Sequence, residues 1–158
     1  MNFENLGVKP EDLNSRLAVS AHNGTNFSPE ERGRQEQQAY YEDIKGVYEL
    51  FADRITPNQE ALFLEEMTRY RKANLSRRLD YLYSRSRVMS AMITGPANFP
   101  TRSNQKRSRA YENKVSAFAE WRKKAIYRIG KTLGLMGSTA ISSDDKDALE
   151  QLKARIAS

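Results

Sequence analysis

Arg71, Arg78 and Arg85 stand seven residues apart, a spacing that sets them along one stripe of a helix. Arg77 and Arg87 widen the stripe. Beyond a Gly-Pro corner follow Arg102, Lys106, Arg107, Arg109 and Lys114, and then Arg122, Lys123, Lys124, Arg128 and Lys131. Guanidinium groups offer planar, paired donors to phosphate oxygens, and each phosphate neutralised by a cation releases counterions. Binding of a polyanion is the chemistry these residues suit, and nucleic acid is its commonest form. Residues 69–131 hold 17 Lys and Arg against three acids, Asp80, Glu112 and Glu120. Arg78, Arg85, Arg87, Arg102, Lys106 and Arg107 are the expected nucleic-acid contacts. Tyr81, Tyr83 and Phe99 lie near the same end, where their rings can stack on unpaired bases at about 1–3 kcal/mol each. A plainer alternative is a solvated helix face. Another is neutralisation by Glu36, Glu42, Asp43, Glu49 and Asp53, with each exposed pair worth about 0–1 kcal/mol.

Other candidates are thinner. His22 is the single histidine, so it cannot supply a His-pair metal site. It can serve as a general base if Ser20, Thr25 or Ser28 offers a hydroxyl, but the surrounding Asn, Gly and Thr equally suit a hydrogen-bonded loop. Glu65 and Glu66 are adjacent and point to different sides of a helix. "GPANFP" lacks the GxxxxGK[ST] pattern of a phosphate-cradling loop. In it Gly95, Pro96, Phe99 and Pro100 are expected to shape a corner. With no cysteine, thiolate zinc sites, disulfides and a Cys nucleophile are excluded. No catalytic residue beyond His22, no metal site and no cofactor is expected, and an enzyme is the less favoured class.

The elements that must position these residues are helices, since no segment alternates with period two. A short helix is expected from Pro10, followed by the loop "AHNGTNF". Ser28, Pro29 and Glu31 form a helix start, and Ile44, Val47, Tyr48, Phe51 and Ile55 give an apolar face to a helix of about 29–54. Thr56, Pro57 and Gln59 repeat the start signal for the longest helix, about 57–94, with Leu75, Leu79, Leu82, Ser86, Met89 and Ile93 as its seam. A third long helix runs from Ser103 or Asn104 to about Ile129, with Tyr111, Val115, Phe118, Ala125 and Ile129 inward. Gly130, Gly134 and Gly137 are expected to end it. A short helix over about 144–157 closes the chain.

The expected fold is all-α, an antiparallel bundle of three long helices with short N- and C-terminal helices. At 158 residues it reads as one domain: a short helix and loop over 1–27, the three-helix core over 28–131, and a Gly-rich link with the last helix over 132–158. The net charge of +6 hides a partition, with −7 over residues 1–68, +14 over 69–131 and −1 over 132–158. No secretory signal pattern and no long apolar run appear, so neither export nor a membrane partner is expected.

Two stretches, "AHNGTNFSPEERG" and "SRVMSAMITGPANFPTRSNQKR", resemble a family of uncharacterised phage and plasmid proteins, over roughly His22 to Trp121. That family implies no activity and no site residues. What it implies is a setting, the cytoplasm of a bacterial host carrying a mobile element. Residues and setting together suggest a DNA- or RNA-binding protein that grips the phosphate backbone with a basic helical hairpin. The alternative is a non-enzymatic inhibitor of a host defence complex, acting by protein contact or by mimicking nucleic acid with the acids of residues 30–53.

Overall fold

A computed structural model describes residues 2–88, 99 and 101–135. These are mostly helical and, among the described residues, contain no strand, so the fold is all-α. The elements are α1 (Ser15–Ser20), α2 (Pro29–Ala52), α3 (Glu60–Ser86) and α4 (Thr101–Thr132), with 3-10 turns at Phe3–Leu6, Pro10–Asp12 and Pro57–Gln59. The final short helix expected over 144–157 lies outside the described residues, as do Gly95, Pro96, Pro100 and Gly137.

Local signals account for most of the boundaries, and four differ from the sequence expectation. The helix expected from Pro10 is broken. A 3-10 turn ends at Asp12, and the Asn14 side chain then accepts from the Leu17 N–H at 3.0 Å, capping α1 afresh. The second long helix stops at Ser86 instead of reaching Thr94. There the Arg87 and Val88 N–H groups turn to carbonyls three residues back, on Ser84 and Arg85, and the Ser86 hydroxyl takes the Tyr83 carbonyl. The third begins earlier, at Thr101, because first-turn N–H groups need no intrahelical partner and nothing between 101 and 104 breaks a helix. It also passes through Gly130. Gly134, at φ 71°, ends it: the Leu135 N–H bonds the Gly130 carbonyl and the Gly134 N–H bonds that of Lys131. The start at Thr56 matches its signal, the Thr56 N–H donating to Gln59 Oε1 at 3.0 Å.

The chain forms two compact units, each drawing on all three long helices: one from Met1–Val8, Glu42–Ala73 and Ala119–Ser158, the other from Lys9–Tyr41 and Asn74–Phe118. The first has an apolar interior of Phe3, Ile44, Val47, Tyr48, Phe51, Phe63, Met67, Ala125, Ile126, Ile129 and Leu133. Tyr70 stacks on Trp121 there at 5.3 Å between centroids, and Asp43 accepts from Tyr70 Oη (3.0 Å) and Arg122 Nε (2.8 Å). The second buries Leu13, Ala18, Ala21, Tyr40, Tyr81 and Leu82, but also His22, Asn74, Arg78 and Ser84. Gly33 of α2 is required in that unit by close approach. A Cβ there would meet Val19 Cγ2 at 2.8 Å and the Val19 backbone N at 3.0 Å.

The buried stripe of α3 is only partly the one expected: Leu82 is buried, Leu75, Leu79 and Ser86 are half-buried, and Met89 and Ile93 lie outside the described residues, while Phe63, Met67, Tyr70, Asn74, Arg78 and Tyr81 are buried as well. The inward stripe therefore passes through an arginine that the sequence placed on the outside.

Candidate nucleic-acid interface

The three seven-spaced arginines all turn to internal partners, which corrects the expectation of an outward stripe. Arg71 donates to the Leu6 carbonyl. Arg78, only 7% exposed, donates from Nε to Asn74 Oδ1 at 2.8 Å and from Nη1 to Tyr81 Oη at 3.1 Å, with its guanidinium carbon 4.9 Å from the centre of the Phe118 ring. Burial pushes the Tyr81 phenol up to about 12, with Arg78 opposing, so Tyr81 remains a neutral acceptor at physiological pH. Arg85 lies 5.1 Å from the centre of the Tyr111 ring and donates to His22 Nδ1 (3.0 Å) and Thr25 Oγ1 (3.2 Å). Arg85 is thus held by neutral acceptors and a ring face.

His22 anchors this arrangement. Its ring is 1% exposed, between Glu36 Oε1 at 3.1 Å from Nε2 and two donors, Asn26 Nδ2 (3.1 Å) and Arg85 Nε (3.0 Å), at Nδ1. Arginine Nε cannot accept, so Nδ1 is the acceptor and Nε2 carries the hydrogen it gives to Glu36. Burial, joined by the charges of Arg85 and Arg32, pulls the imidazole pKa below its ordinary value despite Glu36. The imidazole lone pair is thus already occupied. His22 is a positioning group that ties the loop after α1 to α2 and α3. Its partners Asn26, Glu36 and Arg85 carry no common sequence motif. Only the four-residue step from Asn74 to Arg78 could have flagged that the stripe faces inward.

The remaining expected contacts come together at one end of the second unit. Along α3 and α4 the pairings run in opposite order: Arg78 with Phe118, Lys114 with Asp80 at 2.8 Å, Arg85 with Tyr111, and Arg107 Nη1 with the Arg87 carbonyl at 3.4 Å. Past these contacts the helices enclose a groove of about 440 Å³ whose described lining is Ser84, Arg87, Ser103, Lys106, Arg107 and Ala110. Ser103, Lys106, Arg107 and Ala110 follow the three-four spacing of one helical face. Arg102 and Arg109 share a stripe with Lys106 and are exposed, as are Arg87 and Lys106, while Arg107 is half-buried. Among the described residues none of these five cations forms an ion pair, whereas Lys114, Arg69 and Arg122 all do. Phe99 is half-buried, its carbonyl accepting from the Thr101 N–H at 2.9 Å where α4 begins.

The segments of the first unit carry 13 Lys and Arg and 13 Asp and Glu, while those of the second carry 13 and seven, so the whole surplus of +6 belongs to the second. Among the described residues no three His, Asp or Glu side chains converge as a metal site would need, and no helix is long and apolar enough to cross a membrane. No family model, curated protein or solved structure matches the chain.

Proposed function

We propose that the protein binds the phosphate backbone of nucleic acid at the groove of its second unit. Arg87, Lys106 and Arg107 contact phosphate from the lining, and Arg102 and Arg109 extend the contact along α4. The observation that carries this reading is the set of five cations without a carboxylate partner among the described residues, in the unit holding all of the net charge. Arg78 and Arg85 are reassigned to support: they fix α3 against α4 and the His22 loop. The opposed pairings favour an antiparallel packing of α3 and α4 in the second unit, which sets the end of α3 beside the beginning of α4. Contacts to backbone rather than base edges suit a site with no groove-reading helix motif. Its setting, on the resemblance to mobile-element proteins, is the cytoplasm of a bacterial cell.

Equilibrium binding of a mixed-sequence probe tests the proposal. On duplex DNA five phosphate contacts give a log–log salt slope of about −4.5, or roughly a 500-fold loss between 50 and 200 mM salt, and on a single strand about −3.5, or roughly a 130-fold loss. Affinity that does not change with salt, or no binding at 50 mM, would exclude it. The rival reading, an inhibitor of a host complex, expects a protein partner that stays bound after nuclease treatment of the lysate.

A further inference from the structure

Tyr83 has no evident reason to be where it is. Its neighbour Tyr81 is buried against Tyr111 and Phe118, yet Tyr83 is 61% exposed on α3. The next residue along, Ser84, lines the groove, and so does Arg87 just past the end of α3. The groove volume of about 440 Å³ falls within the range of about 300–1,000 Å³ typical of small-ligand sites. A smooth duplex would use the cations but not the ring, because paired bases offer no free face. An unpaired base offers one, and a sequence-tolerant π-face beside a line of cations is the recurrent composition of single-strand binding surfaces.

We infer that the groove takes single-stranded nucleic acid, with the backbone along Arg87, Lys106 and Arg107 and one base stacked on Tyr83. The inference rests on the phosphate-binding reading and adds strandedness to it. Phe27, 79% exposed, provides an internal comparison, since it lies on the loop before α2 with no groove-lining residue beside it in the chain.

Fluorescence anisotropy with labelled oligo-dT, oligo-U and a duplex of equal length, at 50 mM salt, separates the possibilities. The expected result is tighter binding to at least one of the single strands than to the duplex. Tyr83→Ala should weaken that strand roughly 5- to 150-fold. Duplex affinity, the melting temperature and the effect of Phe27→Ala should stay unchanged. The stronger of the dT and U arms identifies DNA or RNA as the source. Equal losses on single strand and duplex, or no loss from Tyr83→Ala while Arg87→Gln and Lys106→Gln weaken both, overturn the single-strand inference and leave the phosphate reading standing. Failure of every probe to bind overturns both.

Discussion

Replacing His22 with alanine would test whether the buried imidazole holds the second unit together. The substitution removes a ring 1% exposed, the acceptor of Arg85 Nε and Asn26 Nδ2, and the donor to Glu36. Leaving a charged donor and a carboxylate without partners costs about 1–3 kcal/mol, and the cavity adds to it, so a total near 3 kcal/mol is expected. For a chain of this size that lowers Tm by roughly 6–12 °C. The variant should also change the pH response. With the folded-state pKa below the unfolded value near 6.5, the unfolded chain binds more protons in the interval between them. Stability from the neutral ring is complete above pH 6.5 and declines as pH falls through that interval. Circular dichroism melts at pH 8 and pH 5.5 should show a wild-type loss on acidification that His22→Ala lacks. An unchanged Tm at pH 8, or the same acid sensitivity in both proteins, would refute this role.

Two further pairs of substitutions probe the scaffold. Gly46→Ala, with no atom within 4 Å of the new Cβ, should raise stability by about 0.5–1 kcal/mol, whereas Gly33→Ala, forced against the Val19 backbone, should lower it by about 1–3 kcal/mol; thermal melts read both. Asp43→Ala strips partners from Tyr70 and Arg122 in a site where the carboxylate is 5% exposed, and should cost about 2–3 kcal/mol. Lys114→Ala, breaking an exposed pair with Asp80, should cost less than about 1 kcal/mol, as measured by urea unfolding.

The all-α class, the three long helices and the capping at Thr56 were legible in the chain because apolar periodicity, Pro at first-turn positions and the absence of alternation act locally. The apolar face of α2 was legible for the same reason: Ile44, Val47, Tyr48 and Phe51 are all buried, although Ile55 falls past the end of the helix and is half-buried. The inward stripe of α3 was legible only at Leu82. Periodicity counts a leucine as core and an arginine as surface, and at positions 74 and 78 a long-range partner, Phe118, together with the Asn74 amide, reverses that ranking. The His22 network was invisible for a related reason, since Glu36 and Arg85 lie 14 and 63 residues away and only the fold brings them to one ring. Among the cations, spacing alone could not separate those that brace the helices from those without a carboxylate partner among the described residues. That separation needed the side-chain partners.

The salt slope of a groove variant bears most directly on the central claim. Replacing Arg87, Lys106 and Arg107 together with glutamine should leave the helical spectrum intact, weaken binding, and make the log–log slope shallower by about 2.7 on duplex DNA or about 2.1 on a single strand, one increment of about 0.9 or 0.7 for each lost phosphate contact. A slope identical to that of the wild type would mean that these three side chains touch no phosphate, and the groove would not be the binding surface.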